Sequence, residues 1–356
     1  MAGKNILYVT DNLISSSVYR SQVHTLCNKH SLNNNVKLLA FCKSSDMLYH
    51  PHDAQYELIK IKRPILFTIP IISKILSFFF KDNKLIEWAD VIHCRGHGPS
   101  LIIFNILKKY GLNKKVIVDV RGALVNEISE ISGNPLYKFL SNQILLTERK
   151  IFKSADYLFF VSENMLNHFS GLYEFNRSNT EIFPTLVNDD YFKIMPDMRE
   201  KLRASMDIND KFVYVYSGGV SYWQKLENIL FAYKDLTLKS DDYFLLILTT
   251  DENEVKKIIN SIGLNENTYC IKSLRYEEVG SYLNAGDAGL IIRDDSVVNY
   301  VASPTKVNEY ISCGLKIVDN LDCLGNKEYT ASRWVNNFLS LDEIVDKQQR
   351  VYEALS

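Results

Sequence analysis

The feature that most constrains the fold of this chain is a repeated alternation between short apolar runs and longer stretches with helical periodicity. In the first half, the apolar runs predict strands at residues 5–10, 36–41, 91–94, 115–120 and 157–161. In the second half, strands are predicted at 212–217, 243–249, 268–271, 288–292 and 315–319, and helices at 226–237, 252–262, 276–285 and 304–313. Strands that are apolar throughout and alternate with helices predict parallel sheets that are covered on both faces.

Two successive sets of this pattern predict an α/β fold with two doubly wound, Rossmann-like domains that face each other across a cleft. A chain of 356 residues is long enough for two such domains. The periodicity breaks within residues 187–210, so we expect one domain over residues 1–195 and a second over 196–340. The remaining residues, 341–356, are expected to form a helix that packs back on the first domain.

Charge and cysteine content exclude several classes of protein. The formal net charge is -1, which argues against a uniformly basic nucleic-acid binder, and we expect no nucleic-acid partner. The 6 cysteines include no Cys-x-x-Cys pair and no histidine at ligand spacing, as is typical of reduced thiols in a cytosolic protein. Because a strand-like run follows Lys4 directly, no signal peptide is expected, and the predicted location is cytoplasmic.

Residues 64–80 are almost wholly apolar, but they contain Pro70 and Lys74 and fall short of the roughly 20 residues that span a bilayer. Basic residues flank this run, namely Lys60, Lys62, Arg63 and Lys81. One interpretation is an interfacial segment, with peripheral contact to the inner face of the cell membrane through residues 60–81. The other is a helix buried under a loop.

The strongest motif for chemistry lies at the start of a predicted helix. Ser303 suits the N-cap position and Pro304 the first turn. The free amides there, including that of Thr305, form an anion site together with the helix dipole, to which Lys306 adds a point charge. Glu309 lies about one turn further, where a carboxylate can accept hydrogen bonds from two ribose hydroxyls. A well-capped helix without a ligand explains the capping residues equally well, but not the added lysine and glutamate.

Residues 287–318, which include this motif, resemble the donor-binding segment of GT-B glycosyltransferases of family 4, and the likeness extends loosely over the whole chain. The resemblance implies that Glu309 holds the ribose of a nucleotide and that the turn before it meets the diphosphate. Many members have a second glutamate eight positions earlier, where this chain has Val301. Another polar group is then expected to hold the donor sugar, and Arg293 is the candidate.

A second constellation, Gly218 and Gly219, follows the first strand of the second predicted domain. Glycines at such a place allow the backbone to approach a phosphate or a sugar, although they also occur in ordinary turns. Family members commonly have an arginine after the first glycine and a lysine five residues beyond, where this chain has Gly219 and Gln224. The cations expected to act on the diphosphate are therefore Lys225, Arg293 and Lys306.

Further candidate residues lie in loops that follow other predicted strands. In similar enzymes the loop that contains Ser273 and Leu274 holds the base, but an ordinary strand-to-helix connection is equally consistent with these residues. In the first domain the candidates for acceptor binding are Ser16, Arg20, Arg95 and Arg121. His97 stands between two glycines and is a candidate acceptor contact and catalytic residue, although a hydrogen-bonded structural histidine fits the same pattern.

No sequence pattern calls for a metal or a cofactor. There is no apolar-flanked Asp-x-Asp triplet, and the adjacent Asp294 and Asp295 are typical of a solvated turn. Walker A, G-x-S-x-G and G-x-G-x-x-G patterns are absent from the sequence, which disfavours phosphate-loop nucleotidases, α/β-hydrolases and classical dehydrogenases.

Together with the motifs, the resemblance implies a retaining, metal-independent glycosyltransferase that moves a sugar from a nucleotide-diphosphate sugar, with a UDP-sugar favoured, to a glycan or lipid-linked acceptor. The first domain would bind the acceptor and the second the donor. Lys306 and Arg293 would stabilise the leaving phosphate. The membrane-like segment suggests a role in bacterial capsule or O-antigen biosynthesis. Two alternatives stay open: a sugar-nucleotide epimerase of the same fold, and a catalytically degenerate partner subunit that only binds a nucleotide-sugar.

Overall fold

The computed structural model describes residues 3–62, 70–80, 83–131, 135–221, 224–331, 334 and 338–355. The chain forms two compact units. The first unit comprises Met1–Leu186, Ser296–Ser303 and Leu341–Ser356, and the second comprises Val187–Asp295 and Pro304–Ser340. The C-terminal segment therefore belongs to the first unit, and so does a short segment drawn from within the predicted second domain.

The first unit is built on a seven-stranded sheet in which every pair of neighbouring strands is parallel, in the order β3-β2-β1-β4-β5-β6-β7. Its strands are β1 (Asn5–Thr10), β2 (Asn35–Cys42), β3 (Glu57–Lys62), β4 (Val91–Arg95), β5 (Lys115–Val120), β6 (Tyr157–Phe160) and β7 (Thr180–Ile182). The central strands are buried along nearly their whole length, as continuous apolar runs require in a sheet covered on both faces.

Helices of the first unit pack on this sheet or on one another. They are α1 (Ser17–Tyr19), α2 (Thr25–Ser31), α3 (Pro70–Phe79), α4 (Asn83–Trp88), α5 (His97–Tyr110), α6 (Leu124–Ile131), α7 (Pro135–Ser154), α8 (Glu163–Leu172), α13 (Val297–Val301) and α15 (Leu341–Leu355). A π-helical turn, Arg20–His24, joins α1 to α2. Buried hydrogen bonds attach α15 to this unit, because Gln348 Oε1 lies 2.9 Å from His30 Nε2 and the Tyr352 hydroxyl lies 2.7 Å from His93 Nδ1.

The second unit has a five-stranded parallel sheet in the order β10-β9-β8-β11-β12. Its strands are β8 (Phe212–Ser217), β9 (Tyr243–Leu248), β10 (Tyr269–Lys272), β11 (Ala288–Leu290) and β12 (Lys316–Val318). Its helices are α9 (Pro196–Ser205), α10 (Leu226–Thr237), α11 (Glu252–Ile262), α12 (Tyr276–Leu283) and α14 (Thr305–Ser312). The predicted α/β fold with two parallel sheets is therefore confirmed.

One contact fixes helix α14 on the second sheet. Gly289 of β11 has no room for a side chain, because the ring of Tyr310 occupies the place of a Cβ atom. The Tyr310 hydroxyl accepts a 2.9 Å hydrogen bond from the backbone amide of Ser217, the last residue of β8. The first turns of α14 are thereby held beside the carboxyl end of β8, where open parallel sheets bind their ligands.

Two strands of the first sheet were not predicted. Strand β3 reads Glu-Leu-Ile-Lys-Ile-Lys, and its alternating charges suit an edge strand that is only half-buried, rather than the continuous apolar runs that marked the other strands. Strand β7 has only three residues, too few for any periodicity. Of the predicted membrane-like segment, residues 64–69 lie outside the described part of the chain, and the rest begins at α3.

Candidate functional site

The turn that follows β8 is shaped by two glycines. Gly218 has a φ of +144°, a backbone conformation that side-chain-bearing residues rarely adopt. A Cβ atom at Gly218 would overlap the ammonium group of Lys306, and one at Gly219 would lie 2.8 Å from Asp251 Oδ2. The same carboxylate accepts a 3.2 Å hydrogen bond from the amide of Val220. Glycine is therefore required where the backbone and the lysine approach each other.

Helix α14 starts one residue later than the sequence predicts. Pro304, in an extended conformation, is the N-cap, and Thr305 is the first helical residue. The prediction that Ser303 caps the helix is wrong. Its hydroxyl instead accepts a 3.1 Å hydrogen bond from the amide of Thr185 and lies 3.2 Å from the Thr185 hydroxyl, within the first unit. The serine oxygen is thus engaged elsewhere and satisfies no amide of α14.

Two ionisable groups of opposite charge lie on the first turns of α14. Lys306 donates a hydrogen bond to Gln224 Oε1, and its ammonium lies 4.9 Å from the centre of the Tyr216 ring. Burial, together with the positive charge of Arg293, lowers the pKa of Lys306 to about 7, whereas Glu309 acts in the opposite direction. Burial likewise raises the pKa of Glu309 to about 7, against the effect of Lys306. The surrounding protein desolvates both groups, and ionisable groups with pKa values shifted in this way are typical of functional sites.

Arg293 follows β11 and completes the cationic side of this site. Its side chain is half-buried, and this burial lowers the pKa of the guanidinium. An arginine remains charged at neutral pH even so. The structure therefore brings together Gly218, Arg293, Lys306 and Glu309, all at the carboxyl edge of the second sheet.

Two other predicted contacts of the second unit have a different setting. Lys225, at a φ of +51°, forms a 2.6 Å ion pair with Asp294, so that its charge is balanced within the protein. Ser273 is exposed after β10, and Leu274 is half-buried against the apolar core of the unit. Ser273 and Leu274 thus lie in the loop after β10, which the resemblance predicts to hold the base.

In the first unit, Arg95 and Arg121 converge on a single buried carboxylate. Arg95 Nη1 lies 3.2 Å and Arg121 Nε 2.8 Å from Asp119 Oδ2, and Arg95 also donates to Asn12 Oδ1 at 3.1 Å. Asp119 is fully buried; although burial raises its pKa, the charges of Arg121 and Arg95 and a contact with His93 hold that pKa well below the usual range. This cluster lies at the carboxyl ends of β4 and β5.

The other acceptor-site candidates are tied into local structure. The Ser16 hydroxyl donates to the Leu13 carbonyl at 2.6 Å and accepts from the Tyr19 amide at 3.1 Å, which fixes the start of α1. Arg20 lies 3.5 Å from Asp53 in an ion pair. These two side chains therefore have structural contacts of their own.

His97, the first residue of α5, lies in a polar cluster between helices. Its Nε2 atom is 3.2 Å from Glu148 Oε1 on α7, and only 9% of its side chain is exposed. The Tyr173 hydroxyl donates to the other oxygen of Glu148 at 2.7 Å. These contacts give His97 a packing partner on α7 in addition to the catalytic role that its sequence context suggests.

Three residues of the site carried no signal that singled them out in sequence. Tyr216 lies in β8 like any buried strand residue, and Asp251 precedes α11 like any capping aspartate. Gln224 was noted only as the residue that replaces a lysine. Their participation depends on contacts between segments that are far apart in the chain. No group of three or more His, Cys, Asp or Glu side chains suited to hold a metal occurs among the described residues.

Comparison with known proteins supports the fold. Neither the protein-family models nor the curated proteins gave a match. Among solved structures, sucrose-phosphate synthase of Thermosynechococcus elongatus matches with a TM-score of 0.72 at 12% identity over 99% of both chains. A glycosyltransferase of Rickettsia africae matches with a TM-score of 0.69 at 16% identity, over 100% of this chain and 99% of that one. HepE of Anabaena, solved with UDP-glucose, matches with a TM-score of 0.70 at 10% identity, over 99% and 100%. The chain thus has the GT-B fold of these glycosyltransferases.

Replacing Glu309 by glutamine should change how the stability of the protein depends on pH. The pKa of Glu309 is raised from 4.5 to about 7, so this group contributes stability that is present below pH 4.5 and lost as the pH rises to about 7. Glu309→Gln removes that loss. Relative to wild type, the variant should gain about 2 kcal/mol in free energy of unfolding between roughly pH 5 and pH 7.5, as urea unfolding would measure. Glu254→Gln, an exposed position on α11, is the control. A difference between Glu309→Gln and wild type that stays constant with pH would contradict the assignment.

Proposed function

We propose that this protein is a glycosyltransferase that moves a sugar from a nucleotide-diphosphate sugar to a hydroxyl of a glycan or lipid-linked acceptor. The observation that carries the proposal is the convergence of Lys306, Arg293 and Glu309 beside Gly218 at the carboxyl edge of the second sheet. Two cations beside a helix N-terminus suit a diphosphate, and a buried carboxylate one turn away suits a pair of ribose hydroxyls. The GT-B fold supports this assignment, and the UDP-glucose bound to HepE favours a UDP-sugar.

In the proposed reaction, the bond between the anomeric carbon and the phosphate oxygen breaks, and negative charge develops on the departing diphosphate. Lys306 and Arg293 stabilise that charge, so no metal ion and no other cofactor are required. The acceptor hydroxyl attacks from the same face, which retains the anomeric configuration, and its proton passes to the leaving phosphate. Retention and independence of metal rest on the resemblance noted in the sequence. The first unit, with Arg95 and Arg121, binds the acceptor.

A ligand screen tests this function. UDP-glucose and other UDP-sugars should raise the midpoint of thermal unfolding by several degrees at about 100 times their dissociation constant, whereas GDP- and dTDP-sugars should raise it less. Glu309→Ala should lose this shift. An absence of any shift with all three nucleotide classes would overturn the donor assignment.

The products separate the two alternative functions. A transferase forms product only when an acceptor is present, whereas an epimerase converts the sugar nucleotide alone. A degenerate partner subunit, which Val301, Gly219 and Gln224 make conceivable, would bind the donor and turn over nothing. Release of UDP that depends on an added acceptor would therefore support transfer against both.

The exposed surface of α3 supports contact with a lipid surface. This helix buries its polar side: Ser73 and Ser77 are buried, and Ser73 accepts a 3.2 Å hydrogen bond from Asn105 of α5. Two of its large apolar residues are exposed, Ile75 by 52% and Phe78 by 71%, whereas Leu76 packs against the core of the unit. Large apolar side chains that are exposed next to each other on one helix are unusual on a water-facing surface and favour an interaction site. No described helix is long and apolar enough to cross a membrane, and the proposed contact is peripheral.

Lysines beside this apolar surface suit anionic lipids. Lys74 is exposed on α3, and the ammonium of Lys109 lies 5.3 Å from the centre of the Phe78 ring. Positive charge next to an exposed apolar helix favours the negatively charged inner face of a cell membrane. A lipid-linked acceptor at that face would place the enzyme in the assembly of a bacterial surface polysaccharide, such as capsule or O-antigen.

Charging this surface should weaken membrane binding. The double substitution Ile75→Glu with Phe78→Glu should reduce co-sedimentation with phosphatidylglycerol vesicles by about tenfold or more, because two apolar contacts are lost and two negative charges are added. Leu238→Glu, at an equally exposed apolar position of the second unit, is the matched control. If the double variant and the wild-type protein co-sedimented equally with the vesicles, the proposed membrane contact would be wrong.

A further inference from the structure

Gln224 contacts the lysine on which the proposed function depends. Its side-chain carbonyl oxygen accepts a hydrogen bond from Lys306 Nζ. The Tyr216 hydroxyl lies 3.4 Å from the same oxygen and donates a 2.5 Å hydrogen bond to the carbonyl of Gly219. The ring of Tyr216 also faces the Lys306 ammonium at 4.9 Å. One oxygen atom therefore connects the turn after β8 to the first turn of α14.

A lysine side chain has many rotamers, and restricting a mobile one on a ligand costs side-chain entropy. In this site three contacts restrict Lys306 before any ligand arrives: the Gln224 carbonyl, the Tyr216 ring and the close approach of Gly218. The ammonium is thereby placed in advance against the turn that approaches the diphosphate.

The chemistry of the glutamine matters as much as its position. An amide carbonyl accepts a hydrogen bond from an ammonium and carries no net charge. Gln224 therefore does not neutralise the Lys306 ammonium, which can still attract an anion. Lys225 shows the contrary case, because its partner is the carboxylate of Asp294 at 2.6 Å. The family's usual lysine at position 224 would repel Lys306 instead.

The groups around Lys306 act on its protonation in opposite directions. Burial and the charge of Arg293 disfavour the ammonium and lower its pKa to about 7, whereas Glu309 on the same helix raises it. Asp251 approaches the turn from the end of β9, and the Lys225–Asp294 pair is neutral as a whole. A hydrogen bond accepted from the charged form favours that form, and the Gln224 carbonyl supplies one.

We propose that Gln224 is a positioning residue that holds the Lys306 ammonium protonated and aimed at the donor diphosphate. The proposal rests on the proposed function for its ligand, but the state of Lys306 can be measured without one. Substituting Gln224 should therefore alter both how strongly UDP binds and the pH at which that binding is lost.

UDP binding measured by calorimetry between about pH 5.5 and about pH 9 tests the proposal, because this range extends to both sides of the pKa of Lys306. The terminal phosphate of UDP ionises at about pH 6, but this contribution is the same for every variant and cancels when the variants are compared. In the wild-type protein, the affinity should fall as the pH rises, by up to about tenfold per pH unit at the steepest point. Gln224→Met, which keeps the shape of the side chain but lacks the carbonyl, should bind about tenfold more weakly and lose affinity at a lower pH.

Two charged variants should shift the pH at which UDP affinity is lost in opposite directions. Gln224→Glu places a carboxylate beside the ammonium and should move the loss of affinity up by about one pH unit or more. Gln224→Lys places a second ammonium there and should move it down by a similar amount. A residue that merely filled space would weaken binding in all three variants without moving the pH of the transition.

Acetylation of Lys306 by acetic anhydride, followed by mass spectrometry over the same pH range, measures the free amine directly and needs no nucleotide. Its profile should shift in the same two directions, and circular dichroism checks that each variant is folded. An unchanged labelling profile in Gln224→Glu and Gln224→Lys would overturn the proposal. Shifted labelling without UDP binding by the wild-type protein would instead overturn the proposed function and leave the contact between Gln224 and Lys306 supported.

Discussion

Replacing Lys306 by alanine should lower kcat/KM for sugar transfer by about 10²–10³-fold, which corresponds to the loss of one preorganised group that stabilises the charge of a leaving phosphate. The protein should stay folded, because removing a desolvated ammonium relieves an unfavourable burial rather than opening the core. Release of UDP from the sugar donor in the presence of acceptor measures the effect.

The expected loss of kcat/KM is large because the Lys306 side chain is already held in position. Its contacts with Gln224 and Tyr216 hold the ammonium beside the turn after β8, so that little reorganisation is needed when charge develops. Arginine should not replace Lys306. The ammonium packs so closely against Gly218 that even a Cβ atom there would overlap it, and a guanidinium is larger than an ammonium. Lys306→Arg should therefore have less than about a tenth of the wild-type activity.

The matched control for Lys306 is Lys256→Ala, which removes an exposed lysine that pairs with Glu252 on α11 at 3.2 Å. Exposed pairs of this kind contribute at most about 1 kcal/mol, and activity should be unchanged. If Lys306→Ala turned over at the wild-type rate, the assignment of the diphosphate to this site would be wrong, and so would the proposed role of Arg293.

The second large effect concerns stability. Asp119→Ala should lower the free energy of unfolding by about 3–5 kcal/mol, because it leaves the buried Arg95 and the mostly buried Arg121 without the carboxylate that they share. With total stabilities of about 5–15 kcal/mol in ordinary domains, much of the first unit should unfold. Urea unfolding followed by circular dichroism would measure the loss.

Asp119→Asn separates charge from hydrogen bonding. The amide keeps one oxygen for the arginines but not the negative charge, so the loss should be smaller than in the alanine variant. Because the pKa of Asp119 is held below its ordinary value of 3.8, its carboxylate contributes stability that is present above about pH 4 and lost as the pH falls further. The difference between Asp119→Asn and the wild-type protein should therefore shrink in acid.

Asp241→Ala, at an exposed position before β9, is the control for both substitutions and should change the free energy of unfolding by less than about 0.5 kcal/mol. An equally small loss in Asp119→Ala would show that the two arginines are solvated and have no need of the carboxylate.

Several elements could be predicted from sequence because their signals are local. The predicted helices at 226–237 and 252–262 agree with α10 and α11, since apolar residues recur on one face of each. The apolar run 212–217 agrees with β8. Strand β3 escaped prediction because an edge strand does not need a continuous apolar run. The start of α14 was misplaced by one residue because a serine and a following proline both satisfy the local rules, and a distant threonine decided between them.

The sequence by itself determined that this chain forms two parallel α/β sheets and that a lysine and a glutamate lie about one turn apart at the start of one helix, since both follow from the spacing of residue types along the chain. Only the tertiary structure decided what those residues contact. Gln224 became a partner of Lys306, Lys225 a partner of Asp294, and Glu148 a partner of His97. The physical reason is that hydrogen bonds and ion pairs reach only a few ångströms, so they depend on which distant segments the sheet brings together.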